Sequence, residues 1–106
     1  MVSDEKVRDM EKWIKNYLNA EGKLISFPSK RKLKIAAMFY IASRIDEEKE
    51  YSEKEMNDLI NQMCCFHDAA VLRREMYNYR FINRTIDGKT YWKEKIQPNP
   101  ERYDLI

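Results

Sequence analysis

The chain has 106 residues, 36% of them charged and 43% hydrophobic, with a formal net charge of +2 at pH 7. That length supports one domain with one modest core, and no apolar run approaches the roughly 20 residues that a membrane-spanning helix needs. A charge so near neutral does not by itself announce a nucleic-acid binder, and the start, Met1 to Lys6, has no apolar signal-peptide core. A reducing cytoplasm is therefore the expected setting for the adjacent cysteines Cys64 and Cys65, which close a disulfide only with strain.

Residues 3–20 predict a first helix. Ser3 can cap it, Asp4 and Glu5 suit the positive end of its dipole, and Gly22 lies just past its end. Val7, Met10, Ile14, Tyr17 and Leu18 fall on one stripe, with Trp13 beside it. Residues 23–27 read as a short extended segment, which Pro28 keeps from becoming a helix. Ser29 starts a second helix that runs to about Ile45. Leu33, Ala36, Ala37, Tyr40 and Ile41 make one face, while Ile35, Met38, Phe39 and Ala42 fill much of the remainder. A helix apolar on nearly every side belongs at the buried centre of a small fold. Its first turn, Lys30-Arg31-Lys32, is basic against the helix dipole, which hints at an anionic partner or at acid neighbours in the fold.

Residues 46–50 read as a charged connection. Ser52 with Glu55 then makes a capping box, and Met56, Leu59, Ile60, Met63 and Cys64 follow with a helical period. Asp68 is a good cap for the next helix, expected over residues 68–79. Ala69, Leu72, Met76 and Tyr79 point inward there, and Arg74 and Tyr77 point away, with Ala70 beside them and Asn78 nearby. Two strands complete the pattern, at about residues 81–86 and 89–95, joined around Asp87-Gly88, a strong hairpin signal. Residues 1–95 thus form one domain, and residues 96–106, with two prolines, form an extended tail. Helix, turn, helix and two-stranded wing is the order of a winged helix-turn-helix. The expected fold is therefore α+β, mainly helical, with an extra N-terminal helix and a C-terminal hairpin wing.

Charge is unevenly placed. Residues 23–44 hold six bases and no acid, residues 45–61 hold seven acids and two lysines, and residues 66–95 hold seven bases and four acids. A divided surface of this kind can steer an anionic partner to one side, or let two helices or two protomers pair their charges.

Tyr51-Ser52-Glu53-Lys54-Glu55-Met56-Asn57, then Asp68-Ala69-Ala70 running into Leu72-Arg73-Arg74-Glu75, then Arg84, Asp87-Gly88 and Tyr91-Trp92, resemble the bacterial family catalogued as domain of unknown function 2087. Gly22-Lys23-Leu24 and Phe27-Pro28-Ser29-Lys30-Arg31-Lys32 resemble the leading segment of that family, and the likeness spans about residues 12–95. It implies a winged-helix-like fold, found alone or joined to helix-turn-helix regulators, and hence a role in transcription. It implies no established activity.

Two functions follow as expectations. In the first, the chain binds duplex DNA as a small transcriptional regulator. Arg74, Tyr77 and Asn78 would face the groove, where arginine can grip guanine and asparagine adenine. Ser52, at a helix N-terminus, could receive a phosphate, and Arg84, Lys89 and Lys93 could hold backbone phosphates from the wing. The acids Glu53, Glu55 and Asp58 oppose this by repulsion. In the second, the chain is a regulatory or interaction module that binds no DNA and dimerises, or meets another regulator, through its first helix and its Tyr103-Asp104-Leu105-Ile106 end. Arg73, at the edge of the apolar stripe, is expected to play a structural part by pairing with an acid. Cys64, Cys65, His67 and Asp68 could suggest metal or thiol sensing, but no second cysteine pair accompanies them. No metal, cofactor or catalytic constellation is expected.

Overall fold

The computed structural model describes the backbone of residues 4–99 and the side chains of residues 8–99. Over that span the chain is α+β, with four α-helices and a three-stranded antiparallel sheet. The expected Ser3 cap and the Tyr103-Asp104-Leu105-Ile106 end lie outside the described residues.

Helix α1 is Asp4–Trp13, and the first expected helix therefore stops well short of residue 20. After the buried Ile14 the chain tightens into a 3-10 turn, Lys15–Tyr17. Asn19 shapes the turn that follows. Its Oδ1 accepts the backbone N–H groups of Glu21 and Lys23, both at 2.9 Å, and such a side chain makes a turn of its own in competition with a helix. Gly22, with φ of +79°, completes the reversal in a conformation that suits glycine. Leu24 then lies antiparallel to Leu18 and parallel to Cys64. Its N–H donates to the Met63 carbonyl and its own carbonyl accepts from the Cys65 N–H, each at 2.8 Å. The short extended segment expected here thus joins the N-terminal arm to the end of a later helix.

Helix α2, Arg31–Ala42, is shorter than expected at both ends, and Lys30 caps it without a side-chain hydrogen bond. Every residue from Ile35 to Ala42 is buried, so α2 is the centre of the core, as its composition predicts. Its basic start is partly answered within the fold. Lys32 lies 4.2 Å above the Trp13 ring, and Lys34 reaches Glu75 at 3.7 Å.

The expected charged connection ends early, because Glu50–Ser52 forms strand β1. It pairs antiparallel with a later strand through Glu50↔Trp92, Tyr51↔Tyr91 and Ser52↔Thr90. Helix α3, Glu53–Met63, follows at once behind the capping box. Ser52 Oγ accepts the Glu55 N–H at 3.0 Å, and Glu55 Oε1 accepts the Ser52 N–H at 2.9 Å. The Ser52 N–H first, and then the nearby Ser52 hydroxyl, hold the Glu55 carboxyl below its usual range. Met56, Ile60 and Met63 bury the inner face.

Helix α4 is Ala69–Asn78. Asp68 stands at its N-cap, but its side chain makes no cap hydrogen bond. Its ψ of 42° lies outside the extended region from which a cap side chain reaches back to the helix. At the other end Arg80 has φ of +67°. The Arg80 N–H donates to the Tyr77 carbonyl at 3.1 Å, and the Phe81 N–H donates to the Met76 carbonyl at 2.9 Å. This is a Schellman termination with arginine where glycine is usual, and its apolar clasp is the fully buried pair Met76 and Phe81.

Strands β2, Ile82–Arg84, and β3, Thr90–Lys93, pair as Ile82↔Lys93, Asn83↔Trp92 and Arg84↔Tyr91, giving the sheet order β1-β3-β2. The hairpin turn differs from the expected one. The Gly88 N–H closes on the Thr85 carbonyl at 2.9 Å, so Ile86 and Asp87 are the central residues and Ile86 is not in a strand. Of the expected tail, residues 96–99 form no helix or strand, but they are docked. Gln97 Nε2 donates to the carbonyls of Phe81 at 3.0 Å and Glu94 at 2.6 Å, and Pro98 is buried. The order helix, strand, helix, helix, strand, strand from α2 onward is compatible with a winged-helix-like layout.

Candidate functional site

Three residues, 79–81, separate α4 from β2. The Schellman clasp and the buried Phe81 fix that short link, so the hairpin is held rigidly beside the helix. Between them lies a cleft of about 460 Å³, with Arg73, Arg74, Tyr77 and Asn78 on the α4 side and Arg84, Asp87, Gly88 and Tyr91 on the hairpin side. Glu53, at the start of α3, lines it as well.

Helix α4 divides as its period predicts. Ala69, Leu72 and Met76 are buried, Arg74 and Asn78 are exposed, and Tyr77 is half-buried. Tyr79, expected inward, is only half-buried against the core. Val71 shares the outward face, three residues before Arg74, with 41% of its surface exposed. Sequence reasoning missed it. The signal was available, since positions 71, 74 and 78 fall on one helical stripe. Arg74 makes no hydrogen bond, ion pair or ring contact among the described residues, and is the cleft arginine left open to a partner.

Arg73 is different. It is only 8% exposed. Its Nη2 meets Glu53 Oε1 at 2.9 Å, its Nη1 donates to Asn57 Oδ1, and its guanidinium lies 5.5 Å from the Tyr91 ring centre. One side chain thus joins α4 to α3 and β3, which is the structural part expected of it.

The remaining expected site residues are scattered. Arg84 is turned inward on its own hairpin, where Nη1 donates to the carbonyls of Thr85 and Ile86, each at 3.2 Å, and the guanidinium lies 4.9 Å from the Tyr77 ring. It braces the hairpin against α4 while keeping its charge in the cleft. Lys89 is exposed beside the turn. Ser52 is also exposed, but its hydroxyl and N–H are engaged in the capping box. Lys93 is not brought to the cleft. It lies at the other end of β3 and lines a separate groove of about 740 Å³ whose charge is mixed, with Glu47, Glu48, Glu50 and Glu94 beside Lys49 and Lys95.

The acids near the cleft are individually matched. Glu53 pairs with Arg73, Lys54 reaches Asp58 at 2.9 Å, and Glu55 serves its cap. Asp87 Oδ1 accepts from Thr85 Oγ1 at 2.6 Å and from the Lys89 N–H at 3.0 Å. The Thr85 bond, then the Lys89 bond, hold its carboxyl below the usual range. Cys64 and Cys65 are both free. Burial, with Cys65 adjacent, pushes the Cys64 thiol up to about 12, so it remains a thiol at neutral pH and packs as a small hydrophobe. Cys65 is exposed and accepts from Asn19 Nδ2 at 3.3 Å. Among the described residues no group of three or more His, Cys, Asp or Glu side chains could hold a metal ion, and no helix is long and apolar enough to cross a membrane.

Comparison with known proteins gives a family. The profile described as "Uncharacterized protein conserved in bacteria (DUF2087)" matches residues 23–93, from the extended segment before α2 to the end of β3. No curated protein and no solved structure matches the chain. With most of its length covered, the chain belongs to this bacterial DUF2087 family.

Proposed function

We propose that this DUF2087 member is a winged helix-turn-helix regulator that binds duplex DNA, with α4 as the recognition helix and the β2–β3 hairpin as the wing. One observation carries the reading. The outward face of α4 presents an arginine, Arg74, unpaired among the described residues, between Val71 and Asn78, and the basic hairpin stands beside it. A major groove about 12 Å wide admits one helix, where arginine can bond guanine at two points, asparagine can do so with adenine, and valine can meet a thymine methyl group. Arg84 and Lys89 add positive charge at the wing for backbone phosphates.

The acids of α3 weaken this reading less than their number suggests. Glu53 and Asp58 each meet a cation, and Glu55 is committed to its cap. Glu55 and Asp87 keep their charge, and among the residues lining the cleft Arg73, Arg74 and Arg84 still outnumber Glu53 and Asp87, with Lys89 beside the turn. Lys93 drops out of the proposed interface, and Ser52 contributes by fixing the start of α3. A second reading, an interaction module that meets another copy or another regulator, draws on the far groove, where Ile96 is 86% exposed beside Trp92.

A salt titration with a mixed-sequence duplex tests the proposal. Wild-type protein should bind at about 50 mM salt and lose affinity steeply as salt rises, by nearly one power of the salt concentration per phosphate neutralised. Arg74→Ala should bind about tenfold more weakly, the equivalent of about 1.4 kcal/mol. An absence of binding at low salt contradicts the proposal.

A further inference from the structure

We propose that Arg80 holds a backbone phosphate of the bound duplex, and that this contact is why an arginine occupies a backbone position that favours glycine. The inference rests on the DNA-binding reading above and adds to it a residue that lies in neither α4 nor the hairpin. Among the described residues Arg80 is the only one besides glycine with a positive φ, at +67°. In that region the Cβ of an L-residue crowds the following carbonyl, a strain that glycine avoids. The turn needs nothing but backbone. The Arg80 N–H donates to the Tyr77 carbonyl and the Phe81 N–H to the Met76 carbonyl, and glycine would make both bonds. The strain therefore does nothing for the turn, and its use lies in the side chain.

That side chain is exposed, and its guanidinium lies 5.7 Å from the Tyr77 ring centre. The Arg84 guanidinium lies 4.9 Å from the same centre. Two arginines thus share one half-buried ring, and neither forms an ion pair among the described residues. Like charges gathered in one place repel, and a ring contact at an exposed site is weak compensation. An anion beside the pair turns that repulsion into attraction. A phosphate suits it, because the planar guanidinium fork matches phosphate oxygens at two points. Position favours the duplex as the source of that phosphate. Tyr77 lines the cleft, and Arg80 stands just past the end of the helix whose outward face presents Arg74. Strain that persists where a residue serves binding, at a cost in stability, is the expected trade-off.

The experiment measures urea stability, and duplex affinity across a salt series, for wild type, Arg80→Gly, Arg80→Gln and Arg80→Lys. Arg80→Gly should raise the folding equilibrium constant about threefold, because relief of the left-handed strain exceeds the extra chain entropy of glycine. The same substitution should weaken duplex binding and reduce the salt slope by about one. Better folding with weaker binding cannot come from damage to the fold. Arg80→Gln keeps the strain and drops the charge, so it should lose the same slope without the gain in stability. Arg80→Lys should keep the slope. A glycine variant that binds duplex with an unchanged slope overturns this inference, and leaves the DNA reading standing if Arg74→Ala still weakens binding. A glycine variant no more stable than wild type also overturns it, since arginine would then carry no net cost for the contact to explain. Absence of wild-type binding overturns both readings. Inorganic phosphate, titrated without DNA at constant ionic strength, distinguishes the other source. Amide shifts at Arg80 and Arg84 that saturate in wild type and vanish in Arg80→Gln, with duplex affinity indifferent to that substitution, assign the pair to a free phosphorylated ligand and overturn the duplex contact.

Discussion

Phe81→Ala is expected to destabilise the protein by about 3–5 kcal/mol, the largest effect of any single truncation near the site. Phe81 is fully buried and packs edge-on against Phe39 with ring centres 4.7 Å apart, joining the link between α4 and the hairpin to the central helix α2. It is also the apolar half of the Schellman clasp. Its backbone is fully used: the N–H donates to Met76, and the carbonyl accepts from the Glu94 N–H at 3.0 Å and from Gln97 Nε2. Removing the ring leaves a cavity where α4, the hairpin and the docked C-terminal segment meet. A domain of this size has about 5–15 kcal/mol of total stability, so a loss of this order lowers the melting temperature by about 15 °C or more. Urea denaturation with matched slopes measures it directly. A loss below about 1 kcal/mol would show that Phe81 is not the joint described.

The second large effect is expected at Arg73. Arg73→Ala should lower stability by about 2 kcal/mol, and should weaken duplex binding even though Arg73 does not face outward. Two contributions combine. The alanine removes a buried aliphatic stem packed between α3, α4 and β3, and it breaks the bonds to Glu53 and Asn57. The loss stays below the roughly 3–5 kcal/mol typical of a broken buried pair for two reasons. Glu53 remains 55% exposed and regains water, and the Arg73 Nε is buried without a hydrogen-bond partner, so the intact arrangement is itself incompletely satisfied. Arg73→Met keeps most of the stem and should restore much of the stability while leaving Glu53 unpaired at the cleft. Stability recovered by methionine without recovery of duplex binding would separate the electrostatic part from the packing part. Recovery of both would assign Arg73 to packing alone.

Much of this architecture was legible in the residues. Ser52 and Glu55 announced the start of α3 because a capping box is a local device whose two hydrogen bonds involve only neighbours. The unbroken apolar run of α2 announced its burial. The period of α4 separated Arg74 from Leu72 and Met76, and it placed Arg73 at the margin, where an acid could meet it. What stayed hidden was decided by partners distant in sequence. Glu50–Ser52 is too short to show a strand period, and it is a strand only because β3 lies beside it. The first helix gave way after Trp13 to a 3-10 turn, beyond which Leu18 pairs with Leu24 across a reversal that Asn19 builds, against a good apolar stripe. Asp68 is a suitable capping residue held at an unsuitable ψ. In the site, Arg84 looked free for phosphate because its nearest acceptors are carbonyls of its own hairpin, which composition does not show. Lys93 belonged to the hairpin by position but lines the mixed-charge groove at the far end of its strand. Ile86 read as a strand residue, and a one-residue shift of the turn placed it outside.

Amide chemical-shift mapping of the labelled protein, titrated with a short duplex at low salt, tests the central claim most directly. Shifts concentrated on Val71, Arg74 and Asn78 and on residues 85–90 of the hairpin, with α1 and the groove beside Trp92 silent, are the predicted result. Shifts centred instead on the groove beside Trp92 and Lys93, or none at any duplex concentration, would contradict it.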